Sequence, residues 1–291
     1  MKEREIDIEL EELYKIDRSK GYALALEINK KSRTVNYPKG LAHSLKSLSA
    51  YYQSIGDYAK MLEATLEAID IFKAIGDVKL EAHCLNDLGA VYNFIGDHET
   101  RLEVNLKCLE LREEIGDSNA IIASLNNVGD TYLKLKDHNK AENSFLKGLS
   151  TEGITTRTEC ILNHNLGELY FTKEAYNVAN SYFEQAIILA EQTDYLAIEC
   201  GASKFFGKSL IRMGNSSEGY TYLIKACNLA KRNDLIEELS DSYKEISSYY
   251  ENRHDNNNAF GYLKLHLELR NQLFEESKLN RINALLLQMK K

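Results

Sequence analysis

The chain has 291 residues, of which 16 are Gly and one is Pro. Together they make about 6% of the sequence against an average of about 12%, which excludes turn-rich sandwiches, barrels and collagen-like chains. A hydrophobic fraction of 44% with 27% charged residues suits a globular chain with a sizeable core, and the net charge of −8 argues against non-specific binding to nucleic acid, whose phosphates need a basic face.

The N-terminus, Met1-Lys2-Glu3-Arg4-Glu5, is charged and leads into no apolar signal core. The sequence contains no apolar run long enough for a membrane span, so none is expected within it. Its five cysteines, Cys84, Cys108, Cys160, Cys200 and Cys227, are too far apart for a C-x-x-C pair. They read as small apolar core residues in a reducing cytoplasm rather than as a disulfide framework or a zinc site. Residues 1–41 are expected to form a degenerate first hairpin, with helices over Ile6–Lys15 and Lys20–Lys31.

A repeat follows. Ile-Gly-Asp occurs at 55–57, 75–77, 95–97 and 115–117, a constant step. One helix per step, and so two helices per unit, explains that spacing, with Gly supplying a left-handed helix end and Asp capping the next helix. Segments starting at Ala42, Ala82, Ile122, Cys160, Cys200 and Ser240 align as six units over 42–277. Their eighth position is always small: Ser49, Gly89, Gly129, Gly167, Gly207, Ser247. Gly inside a helix costs about 0.5–1 kcal/mol relative to Ala, so its recurrence implies close helix–helix approach.

The Leu88-Gly89-Ala90-Val91-Tyr92 pattern and its counterparts resemble the tetratricopeptide repeat, in which a small eighth residue lets two antiparallel helices pack closely. Leu45, Leu85 and Leu125 replace the usual aromatic at position four, and Gly-Asp replaces the usual proline. The period is about 40 rather than about 34. This variant is similar to the extended repeats of spindle-orientation scaffolds, kinesin light chains and bacterial sensor proteins. The resemblance implies an all-α fold, a right-handed superhelical solenoid of about seven antiparallel hairpins, whose first helices line a peptide- or protein-binding groove.

On that resemblance the groove residues are Asn86, Asn126, Asn127, Asp130, His164, Asn165, Lys204, Lys208 and Arg212. The asparagines would form a ladder that holds a ligand backbone, since an amide both donates and accepts. The alternative is that they bond to neighbouring helices or to water. Lys204, Lys208 and Arg212 recur at steps of four on one helical face. They would receive an acidic group of the partner, or else form a solvated basic stripe near Glu199 or Glu238. The two-carboxylate clamp order of chaperone-binding members is absent.

No catalytic or phosphate-binding motif is present, and the paired His43/His83 and His98/His138 follow the repeat register. Neither enzymatic activity in this chain, nor a cofactor, nor a metal is expected, and no helix-turn-helix precedes the repeats. The last helix begins near Asn258 and runs on without a breaker after Gly261. Leu279, Ile282, Leu286 and Met289 form a short seam, which makes 278–291 either a solenoid cap or a coiled-coil connector able to form a homodimer. Phe274-Glu275-Glu276-Ser277 resembles the junction ahead of diguanylate cyclase or histidine kinase domains. The expected function is therefore the regulatory or sensor portion of a cytoplasmic signalling protein; the alternative is a stand-alone scaffold or peptide-responsive regulator. A phosphatase-inhibitor role is disfavoured because 1–41 is too short for the N-terminal three-helix bundle of those proteins.

Overall fold

A computed structural model describes the backbone of residues 2–16 and 21–288, and side chains up to residue 273. The described residues fold as helices. In chain order these are α1 (Lys2–Leu13), α2 (Tyr22–Val35), α3 (Pro38–Ser54), α4 (Tyr58–Ile75), α5 (Val78–Ile95), α6 (His98–Ile115) and α7 (Ser118–Lys134). They continue as α8 (His138–Ser150), α9 (Thr156–Thr172), α10 (Tyr176–Gln192), α11 (Leu196–Arg212), α12 (Ser216–Arg232), α13 (Ile236–Glu251) and α14 (Asn256–Gln288).

The first helix of each repeat begins one turn before the aligned unit: α3 at Pro38, α5 at Val78, α7 at Ser118, α9 at Thr156, α11 at Leu196 and α13 at Ile236. The unit starts at 42, 82, 122, 160, 200 and 240 thus mark the second turn of each helix rather than its end. The opening turn varies in sequence, and the recurring small or apolar residues begin only after it. In the first hairpin the helices likewise shift, to Lys2–Leu13 and Tyr22–Val35. The repeat that starts at Ile122 has a shorter step than the others because α8 has 13 residues where α4 has 18 and α9 has 17.

Asp57, Asp77, Asp97 and Asp137 each accept a hydrogen bond from the backbone N–H three positions on, as N-caps of α4, α5, α6 and α8. Asp117 does the same for Ala120. Gly56, Gly76, Gly96 and Gly116 take φ of 70° to 86° at the preceding helix ends, the left-handed conformation that favours glycine. After Gly116 the glycines thin out but the turn geometry persists: Lys136, Glu174, Asp194, Asp234 and His254 occupy φ of 50° to 62°. An L-residue there is disfavoured by about 1–2 kcal/mol. Lys136→Gly is therefore expected to raise the unfolding free energy by about 0.5–1 kcal/mol, after the extra backbone entropy of glycine is subtracted. Urea unfolding measures it, and a loss of stability would refute it.

The chain divides into two compact units within α7, one holding residues 1–124 and the other 125–276. In each, a helix packs on the next, and small residues set the spacing. In the first unit Ser49 Oγ lies 2.6 Å from Thr65 Oγ1, and a Cβ added to Gly89 would sit 2.5 Å from Asn105 Oδ1. In the second, a Cβ on Gly129 would sit 2.5 Å from Phe145, and one on Gly167 would land on Phe183. Gly207 meets the Gly219 carbonyl and the Leu223 backbone N–H, at 2.6 and 3.1 Å from such an atom. The opposing group comes from the second helix of the same hairpin at each of these sites. It is a side chain in some repeats and backbone in another.

All five cysteines are buried and free. Cys108, Cys160 and Cys200 donate Sγ–H to the carbonyls of Ala82, Ala186 and Ala226, each at 3.2 Å. α14 extends over 33 residues, as the absence of breakers predicts. The seam Leu279, Ile282, Leu286 and Met289, the 274–277 junction, and the choice between cap and connector for 278–291 lie outside the described side chains.

Candidate functional site

The candidate site is built on the first helices of the second unit. α9 packs beside α11, and α11 beside α13, so the first helices of successive hairpins form one face. The C-terminal part of α7 joins it through a hydrogen bond from Asn165 Nδ2 to Asn126 Oδ1, 2.8 Å. Both asparagines are half-buried. The bond uses one donor of Asn165 and the oxygen of Asn126, which leaves the Asn126 amide donors and the Asn165 oxygen with no partner among the described residues. The pair therefore offers a donor and an acceptor side by side, the two groups that an extended peptide backbone requires.

Asn127 and Asp130 are half-buried on α7 and are engaged within the protein. Asn86, in the first unit on α5, is likewise half-buried and engaged. The same unit has a cleft lined by Lys46, Ser47, Gln53, His83 and Asp87.

His164 and Lys204, two of the expected groove residues, lie largely buried against neighbouring side chains. His164 is 9% exposed; its Nε2 lies 3.2 Å from Glu168 Oε1, and its ring sits 6.1 and 6.2 Å from Phe205 and Phe183. Gly201 makes room for it, since a Cβ there would be 3.1 Å from His164 Cε1. Burial alone would raise the Glu168 carboxyl, but the hydrogen bond from His164 and the charges of His164, Lys134 and Lys204 outweigh it. Together they hold Glu168 below the usual carboxylate range.

Lys204 is also only 9% exposed and points Nζ to Asp241 Oδ2 at 3.3 Å. One turn on, Lys208 pairs with Glu245 at 2.8 Å and lies 5.0 and 5.5 Å from the ring centres of Phe205 and Phe171. That strut ties α9, α11 and α13 together. Arg212 alone of the three is exposed, and it makes no ion pair among the described residues. The expected uniform basic stripe is therefore two internal ion pairs and, among the described residues, one free cation. Glu199, a candidate neutraliser, instead pairs with Lys225 at 2.9 Å. The acidic partners stand 37 residues after each lysine, about one helical turn short of a repeat, and that offset is the signal in the sequence that points to them.

A tetratricopeptide-repeat family model matches residues 122–152, which hold α7 and α8 almost entirely. The chain has the tetratricopeptide-repeat fold. A search of curated proteins finds no match to the chain. Among solved structures, the apo form of RapI is 17% identical with a TM-score of 0.67, over 87% of this chain and 99% of that one. The apo form of the quorum sensor NprR from B. thuringiensis is 16% identical with a TM-score of 0.68, over 90% and 86%. The Rap conjugation gene regulator of the plasmid pLS20, in complex with the Phr* peptide, is 17% identical with a TM-score of 0.62, over 91% and 73%. Within this fold Leu45, Leu85 and Leu125 are buried at position four, where they fill the place of the usual aromatic. Among the described residues no helix is long and apolar enough to cross a membrane.

Proposed function

We propose that this chain is a peptide- or protein-binding regulatory module and that the first-helix face of the second unit is its binding surface. The observation that carries this reading is the Asn126–Asn165 pair, which leaves an unused donor and an unused acceptor on adjacent first helices. Asparagine is a poor helix former, and two of them bonded across hairpins at half-exposed positions cost helix propensity that a backbone-binding role would offset. The fold shared with a quorum sensor and with a regulator solved with a peptide supports the same reading. Binding would regulate if the ligand preferred one arrangement of the hairpins over another, because only differential affinity shifts such an equilibrium. The finer readings, a sensor portion serving an output domain or a stand-alone regulator, share this binding step.

The test is selection from a bead-displayed library of random heptapeptides with free C-termini. The wild-type chain is expected to retain a defined set. Asn165→Ala is expected to weaken retained peptides about tenfold whatever their sequence, since one to two hydrogen bonds to backbone are lost. Undiminished binding by Asn165→Ala and Asn126→Ala would sink the ladder.

A further inference from the structure

Lys204 and Asp241, Lys208 and Glu245, and Arg212 and Tyr249 are three pairs related by the same offset of 37 residues, about one helical turn short of a repeat. The first two are ion pairs. In the third the acid is replaced by a tyrosine, so the ladder of internal neutralisation stops and the guanidinium of Arg212 is left over. This occurs in a cleft between the C-terminal ends of α11 and α13, lined by Lys208, Arg212, Glu245, Ser248, Tyr249 and Asn252. Glu245 is occupied by Lys208 at 2.8 Å. The Ser248 hydroxyl and the Asn252 amide have no side-chain hydrogen-bond partner among the described residues, and both are exposed. Tyr249 stacks on Tyr220 with ring centres 4.5 Å apart, which fixes the wall of the cleft. A second guanidinium, Arg253, lies 5.5 Å from the centre of the Tyr249 ring and makes no ion pair among the described residues.

We propose that this cleft is a carboxylate site, in which Arg212 holds an acidic group of the bound peptide with the help of Ser248 and Asn252. The proposal rests on the peptide-binding reading above and adds to it the chemical class of the ligand. Three features converge. One unpaired guanidinium lines the cleft and a second stands against its tyrosine wall, while no lining carboxylate is unpaired among the described residues. The local charge is thus positive on a chain whose net charge is −8. A guanidinium presents a planar fork of donors that matches a carboxylate. The hydroxyl and the amide supply the further donors that a carboxylate's remaining lone pairs accept. The carboxylate comes either from an Asp or Glu side chain or from the peptide's C-terminus.

The heptapeptide library is screened against the full chain in free-acid and C-terminally amidated forms, alongside Arg212→Gln and Arg212→Lys. Arg212 is exposed, so both variants are expected to keep the wild-type helical circular dichroism. The wild type is expected to enrich Asp or Glu at one position if a side chain enters the cleft, or to lose its ligands on amidation if the C-terminus does. Arg212→Gln is expected to abolish that preference and to weaken the selected acidic peptides by roughly 10- to 100-fold, with Arg212→Lys between. Selected peptides with no acidic or C-terminal preference, or a preference unchanged in Arg212→Gln, would overturn the carboxylate site while leaving peptide binding intact. Retention of no peptide by the wild type would overturn both.

Discussion

Gly207→Ala is expected to lower the free energy of unfolding by about 1–3 kcal/mol, the usual range for overpacking, even though Ala is the better helix former by about 1 kcal/mol. The atoms that a new Cβ would strike are the Gly219 carbonyl oxygen at 2.6 Å and the Leu223 backbone nitrogen at 3.1 Å. Neither can rotate away, so α11 and α12 would have to move apart along their whole contact. The reciprocal Gly219 is equally confined, with the Gly207 carbonyl oxygen 2.5 Å from its own virtual Cβ. Trimming the nearest side chain is therefore not expected to restore stability, and Gly207→Ala combined with Leu223→Ala should be worse than either alone. Equilibrium urea unfolding decides the matter: a Gly207→Ala chain as stable as the wild type would show that the two backbones are not in contact.

Phe183→Ala is expected to cost more, about 3–5 kcal/mol, because the ring is fully buried and a truncated aromatic leaves a cavity as well as lost transfer energy. Phe183 sits among Ala179, Ala186, Ile187, Ala202, Phe206 and Leu210, and it stacks on Phe205 with ring centres 5.8 Å apart. Its partner across the hairpin is Gly167, and here the obstruction is a side chain rather than backbone. The two sites should consequently be coupled. Gly167→Ala alone forces the ring aside, whereas in a Phe183→Leu background the added methyl meets a smaller and more adaptable side chain. A double-mutant cycle is expected to return a favourable coupling of about 1 kcal/mol or more. Additive losses would mean that the ring does not fill the space left by the glycine.

These two glycines show where sequence reasoning succeeds and where it stops. Their recurrence at one position of the repeat reveals close helical approach, because glycine inside a helix has a cost that only contact explains. What approaches them is not written at that position. It is Phe145 or Phe183 in two of the repeats and a backbone carbonyl in another, each on the second helix of the hairpin. The turns were similarly half legible. Gly-Asp marks them as far as residue 117, but of the later turns one keeps a glycine, Gly214, while others place Lys136, Glu174, Asp194 and Asp234 in the left-handed conformation, where Lys and Glu have no preference that would announce it. In the candidate site, Asn126 and Asn165 were visible as recurring amides, whereas their bond to each other depends on the step between hairpins. The partners of the basic series on α11 depend on the same step between hairpins. Helical spacing places Lys204, Lys208 and Arg212 on one face, but only the neighbouring hairpin determines which of them keeps its charge for a ligand.

The buried cysteines carry a consequence for how the array breathes. Burial pushes the thiols of Cys84 and Cys200 up to about 12 and that of Cys160 up to about 11, so none supplies thiolate while its hairpin is closed. The thiolate is the reactive form. Modification by a thiol reagent must therefore wait for the surrounding helices to part. With Cys84 and Cys108 in one unit and Cys160, Cys200 and Cys227 in the other, the chain holds its own set of clocks, each timing the opening of the hairpin around it.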